Sequence, residues 1–274
     1  MKTIRGKLVL SFSLLMVLSA LIVISGYYSL LKLSEGDELV SRINSIRVNG
    51  MAIKGLQQQF LLEDARDTAF YLSNSSASLE QASVHIENIK EEIKTIYTSF
   101  SGIGEIRNDL SLLEECLDTY QAQFAQLVKL QRNTGFKNWG TIGQLRKAIH
   151  QIENDTLAYN PAFMLMLRRH EKDFLLRKDL KYLSRFQQGI ADFSEHIYNN
   201  PDISQADREK LLASLQTYQQ LFEQVVQQEQ LTGFTHSQGL KKELFKLLET
   251  SEATIVALIH SASYVREEKV NLAI

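Results

Sequence analysis

The chain has 274 residues, with 30 lysines and arginines against 32 aspartates and glutamates and a formal net charge of −2. That balance argues against a nucleic-acid binder, which carries a basic excess. The single cysteine, Cys116, excludes an internal disulfide framework and a cysteine-based zinc site. Only two prolines, Pro161 and Pro201, and thirteen glycines punctuate the chain. An all-β or doubly wound α/β fold needs many more turns, so the elements should be long helices.

The first element is apolar. No charged residue occurs from Leu8 to Leu31, a run long enough to cross a hydrocarbon core of roughly 30 Å. Lys2, Arg5 and Lys7 precede it, which by the positive-inside rule makes residues 1–7 cytoplasmic and places everything after Lys32 outside. Tyr27 and Tyr28 suit the outer aromatic belt. A cleaved signal peptide is the competing reading; the length of the run and the lack of a clean small-x-small site argue against it. In a bacterium this is an inner-membrane anchor with the rest of the chain in the periplasm.

Residues 36–270 read as six helices. The first runs from the membrane to about Leu72 and is broken by Ser73-Asn74-Ser75-Ser76-Ala77-Ser78. The second covers about 79–99 and ends at Ser101-Gly102-Ile103-Gly104; the third covers 105–132 and ends at Asn133-Thr134-Gly135-Phe136. The fourth is read as one long helix over 141–198, kinked but not ended by Pro161, because apolar periodicity resumes at once. Asn199-Asn200-Pro201-Asp202 is a turn, Ser204 can cap a fifth helix over 204–231, and a sixth runs over 240–270. Residues 271–274 look like the start of a second membrane span.

An internal repeat supports this division. Thr119–Phe136 aligns with Thr217–Phe234 without gaps, with nine identities in eighteen positions. Thr-Tyr-Gln recurs at 119 and 217, and Thr-Gly-Phe at 134 and 232. The length arithmetic then sets the architecture. At 1.5 Å per residue the fourth helix spans roughly 85 Å and the third, fifth and sixth roughly 40–45 Å. An all-α fold of two stacked four-helix bundles closes those heights.

The stretch Met166-Leu167-Arg168-Arg169-His170-Glu171-Lys172-Asp173-Phe174-Leu175-Leu176-Arg177, followed by Asp179 and Tyr182, resembles the helical bimodular sensor domain of bacterial methyl-accepting chemotaxis receptors and sensor histidine kinases. The Thr-Gly-Phe loop and Gly140 to Ala148 are similar to the same family, and the resemblance covers about residues 36–270. It implies a periplasmic sensor of two stacked bundles. Members of that family bind small carboxylates such as C4-dicarboxylates or acetate, sometimes one per module, and at least one reads a periplasmic binding protein.

Arg168, Arg169, Lys172 and Arg177 form the main candidate ligand-binding cluster. By residue count they lie beside the loop that starts at Thr232, at the height of Lys54 on the first helix, with Arg47 about two turns lower. Guanidinium groups inside a bundle need an anion, and a carboxylate can supply one through bidentate hydrogen bonds. The competing reading pairs these charges with Glu171, Asp173 and Asp179 or leaves them in water. Arg168 and Arg169 cannot both face inward, because neighbours on a helix point about 100° apart. With the apolar stripe taken as Phe163, Met166, Leu167 and Phe174, the polar residue on it is His170, either a core histidine or a pH-sensitive anion contact. Trp139 reads as a cap on a bundle or a lid on a pocket.

No histidine pair or cluster has metal-ligand spacing and no catalytic constellation is present, so no metal, cofactor or enzyme activity is expected. The expectation is the ligand-sensing region of a transmembrane chemoreceptor that binds small organic acids and signals across the inner membrane, working as a homodimer. The alternatives are the sensor of a histidine kinase and a membrane-anchored bundle that binds a periplasmic protein.

Overall fold

A computed structural model of the chain describes residues 4–73, 75–100, 104–153 and 159–271. Among these residues all regular structure is helical and no strand occurs. The expected second-span start at residues 271–274 falls outside them but for Asn271, and so do Asn74 and Ser101-Gly102-Ile103 of the expected breaks and the first three residues of the expected cytoplasmic N-terminus.

Helix α1 (Ile4–Leu62) contains the apolar run. It is long and apolar enough to cross a membrane, and none of its most apolar window is buried inside the chain. The first helix ends ten residues earlier than its periodicity suggests. A 3-10 turn at Asp64–Arg66 and a short helix α2 (Thr68–Ser73) follow it. Asp67 causes the break: its Oδ1 accepts from the Ala69 amide at 3.0 Å, which suits a turn and caps the new helix.

Helices α3 (Ala77–Ser99) and α4 (Gly104–Thr134) match the second and third expected helices. Their buried residues recur at helical spacing: Ala82, Ile86, Ile89, Ile93 and Ile96 on α3, and Leu110, Leu113, Leu117, Tyr120, Phe124 and Leu127 on α4.

The fourth expected helix is three helices. They are α5 (Gly140–Glu153), α6 (Pro161–Arg177) and α7 (Lys181–Asn199). Pro161 is not a kink inside a helix but the first residue of a new one. Asn160 caps it, its side chain accepting from the Ala162 amide at 3.0 Å, and proline is well suited to that first position. The chain reverses here. Arg168 forms an ion pair with Glu153 at 2.5 Å, whereas fifteen residues of straight helix would separate them by roughly 22 Å. It reverses again after α6, where Lys178 adopts the left-handed conformation (φ 53°) and its amide donates to Phe174 O at 2.7 Å. Helices α6 and α7 then run side by side. Phe163 stacks on Phe193 at 5.4 Å, and a Cβ at Gly189 would lie 2.9 Å from Leu167 Cδ2. With three helices in place of one over 140–199, no helix in that stretch has the roughly 85 Å length that two stacked four-helix bundles required.

Helix α8 (Gln205–Thr232) starts at Ser204, whose hydroxyl accepts from the Asp207 amide, as the sequence suggests. Helix α9 (Gly239–Asn271) closes the chain.

The chain divides into two compact units. The first comprises Met1–Gly55, Gln81–Asp118 and Glu249–Ile274. Its core draws on α1 (Ile43, Ile46), α3 (Ile89, Ile93), α4 (Leu110, Leu113) and α9 (Leu258, Ala262). The ion pairs Arg42–Glu92 at 2.9 Å and Arg266–Asp37 at 2.6 Å tie its outer faces. The second comprises Leu56–Glu80 and Thr119–Leu248. At its centre α5 to α8 pack in an up-down-up-down order around Leu145, Ile152, Leu167, Phe174, Phe186, Tyr218 and Phe222. Phe186 contacts the Phe222 ring at 4.3 Å and the Tyr218 ring at 5.1 Å. Each fully buried side chain of this kind contributes about 1.5–3 kcal/mol.

Candidate functional site

The second unit carries the repeat in three dimensions. Tyr120 and Tyr218, matched in sequence, each donate their hydroxyl to a buried polar side chain: Tyr120 to Gln57 Oε1 at 2.9 Å, Tyr218 to Glu171 Oε2 at 2.6 Å. Phe124 and Phe222, also matched, meet Phe60 and Phe174 edge-on at 5.8 and 5.6 Å. The stretch Gln57-x-x-Phe60-Leu61-Leu62 on α1 therefore corresponds to Glu171-x-x-Phe174-Leu175-Leu176 on α6. Both segments end in a basic residue followed by an aspartate turn. Arg66-Asp67 and Lys178-Asp179 each have the aspartate Oδ1 accepting at 3.0 Å from the amide two residues on.

The two Thr-Gly-Phe loops share their glycine conformations at both ends, although the first is one residue shorter and holds Lys137 at φ 52° with no left-handed counterpart in the second. Gly135 and Gly233 have φ of +85° and +97°, and Gly140 and Gly239 have +60° and +56°. Gly135 N donates to Gln131 O and Gly233 N to Glu229 O, at 2.9 and 3.0 Å. A Cβ at Gly135 would sit 1.9 Å from Trp139 O, and one at Gly233 would sit 1.9 Å from Gln238 O. Only glycine fits either place. The repeat is thus a repeat of structure as well as of composition.

Between these loops and the ends of α1 and α6 opens a cleft of about 800 Å³. Leu61, Leu62, Ala65, Ile142, Phe136 and Leu175 give it apolar walls, and five cations, Arg66, Lys137, Arg146, Lys178 and Lys241, line it with His236. The single carboxylate among its lining residues is Glu229. It is held at 2.6 Å by Lys178 Nζ. Lys241 is partly buried in this field. Burial lowers its pKa, repulsion from Lys178 and Arg66 lowers it further, and Glu229 works in the other direction. A surplus of cations beside apolar walls favours an organic anion.

The residues singled out by sequence are distributed elsewhere. Arg168 pairs with Glu153, and Arg169 and Arg177 lie on the surface near Asp173 at 4.0 and 3.6 Å. Lys172 is exposed. Arg47 is exposed in the first unit, where Lys54 pairs with Glu252 at 3.4 Å. Thr232 is buried under the second loop. None of these seven residues lines the cleft, and neither does His170.

The apolar stripe of α6 is Met164, Leu167, Glu171 and Phe174, one residue away from the expected one. Met166 is exposed, His170 lies beside the stripe, and the polar residue on it is Glu171. Burial raises the Glu171 pKa, against the opposing effects of the Tyr218 hydrogen bond and of Arg168, Lys172 and Arg146. Burial also lowers the His170 pKa, helped by Arg185 and Arg169. Trp139 stacks on Tyr71 at 6.3 Å, and the buried Tyr71 phenol is pushed up to about 12.

Sequence reading missed the cleft because its cations come from five separate segments. The readable signals were the second repeat, at Gln57 and Glu171, and the position of Lys137 directly after a Thr-Gly-Phe loop.

No protein-family model matches the chain, and no curated protein matches it.

Proposed function

We propose that the chain is the ligand-sensing region of a transmembrane receptor of the chemoreceptor type, and that it binds small organic acids in the cleft of the second unit. The observation that carries this reading is the composition of that cleft: five cations against one carboxylate, set beside apolar walls. An organic acid offers the complementary charge and a carbon body for the leucines. The resemblance of Met166–Arg177 to the helical bimodular sensor domain supports the same class. The apolar run Leu8–Leu31 behind Lys2, Arg5 and Lys7 supports an inner-membrane anchor; we further propose that the helical units lie in the periplasm and that a homodimer is the working form. Signalling would proceed by small displacements of one helix against another. The acid is placed in the cleft rather than at Arg168, whose charge Glu153 already matches.

The test is calorimetric titration of the full chain in nanodiscs with a panel of organic acids, using the corresponding amides as neutral controls. Saturable binding of at least one acid is expected, weakening as salt is raised. Arg146→Ala removes an exposed cation of the cleft. It should cost roughly tenfold in affinity, the lower end for a hydrogen bond to a charged group. Binding of no acid, or binding unaffected by Arg146→Ala, overturns the reading.

A further inference from the structure

Parts of the two halves of the cleft correspond, and at one matched position an acid in one half is an amide in the other. Three pairs line it: Leu61 with Leu175, Gln131 with Glu229, and Arg66 with Lys178, the last matched by the aspartate turn that follows each and with two extra residues before Arg66. The match of Gln131 with Glu229 is fixed twice. The two residues are equivalent in the ungapped repeat, and each accepts the amide of the matched glycine, Gly135 or Gly233. In one half the basic residue has an internal counter-ion, since Lys178 Nζ lies 2.6 Å from Glu229 Oε1. In the other half the position of the carboxylate is taken by a neutral amide. Arg66 makes no ion pair among the described residues, and neither do Lys137 and Arg146, which line the same cleft. Arg66 and Gln131 line the same cleft; a guanidinium presents donors in a fork that fits a carboxylate, and a primary amide offers a further donor.

We infer that Arg66 and Gln131 form an anion subsite of the cleft, where a ligand carboxylate supplies to Arg66 the charge that Glu229 supplies to Lys178, and that Glu229 closes the matched corner to a second such group. This rests on the proposed binding of an organic acid in the cleft. It adds the location of the carboxylate and the reason for a single subsite: Glu229 acts as a permanently tethered competitor for the second.

The experiment titrates the full chain in nanodiscs with acetate, which carries one carboxylate, and with succinate, which carries two. Acetamide is the neutral control, and each variant is first checked by thermal melting. The wild type should take one acetate per chain. Gln131→Glu supplies the missing internal anion and should weaken acetate at least tenfold. Glu229→Gln frees the second corner and should raise the stoichiometry to two acetates, with succinate bound at least tenfold more tightly. If Gln131→Glu fails to fold, Arg66→Gln, at an exposed position, should give the same loss of acetate binding. Acetate affinity within twofold of wild type in Gln131→Glu, or a stoichiometry of one in Glu229→Gln, overturns the inference. If Arg146→Ala still weakens binding in that case, the acid is in the cleft at another corner and the functional reading stands. If Arg146→Ala has no effect, or the wild type binds no acid, both fall together.

Discussion

The Glu171–Tyr218 pair offers the sharpest test of how the second unit is held. Glu171 is 6% exposed and its carboxyl receives the Tyr218 hydroxyl at 2.6 Å. Tyr218→Phe leaves that buried carboxyl without its donor, which costs about 1–3 kcal/mol. In a Glu171→Leu background the acceptor is already gone, so Tyr218→Phe should cost little and the double-mutant cycle should return a coupling of about 1–3 kcal/mol. The pH dependence has a definite sign. Burial raises the Glu171 pKa in the folded state, while the unfolded chain titrates near 4.3, the ordinary glutamate value. Above about pH 4.3 the native state therefore holds a proton that the unfolded chain has released. Stability falls as pH rises from there through the raised value, and Glu171→Leu removes that part of the slope. Denaturant unfolding of the full chain in detergent, followed by tyrosine fluorescence from pH 4 to 8, measures both quantities. A coupling below about 0.5 kcal/mol, or an unchanged slope in Glu171→Leu, would refute the reasoning.

Gly233→Ala and Gly135→Ala should each lower the melting temperature clearly, because the new Cβ meets a backbone carbonyl 1.9 Å away in both loops; Gly55→Ala, with nothing within 4 Å of its Cβ, should raise stability by about 0.5–1 kcal/mol. Arg168→Ala should cost about 1 kcal/mol through the lost Glu153 pair, while Arg169→Ala, 79% exposed, should stay within about 0.5 kcal/mol of wild type. Urea midpoints separate the two arginines, and equal losses would contradict the packing of α6. Phe174→Ala removes a fully buried ring set edge-on to Phe222 and should cost about 3–5 kcal/mol; a smaller loss by the same assay would mean that the core of α5 to α8 relaxes around the gap.

Local periodicity and capping were enough to read much of this chain from its sequence. The apolar run of α1, the bounds of α3, α4, α8 and α9, the Ser204 cap and the matched Thr-Gly-Phe loops all follow from patterns within a few turns of helix. Those patterns are set by the backbone, which needs glycine where φ is positive and a hydroxyl or carboxylate where helix amides are unsatisfied. The reversals at Asn160 and Lys178 were not legible. Proline can kink a helix or begin one, and Lys178 holds a left-handed backbone with no glycine to announce it. Contacts distant in sequence select the outcome: Phe163 on Phe193, Leu167 against Gly189, and Lys178 on Glu229. The same holds for the inward face of α6. Met166 is the more apolar side chain, yet Glu171 is the one buried, because Tyr218 from another helix satisfies its carboxyl. Sequence alone determined where helices form and which loops repeat. The tertiary structure decided which charges meet a partner and which, like Arg66, line a cleft without one, since charge compensation depends on distances across the fold that local patterns do not carry.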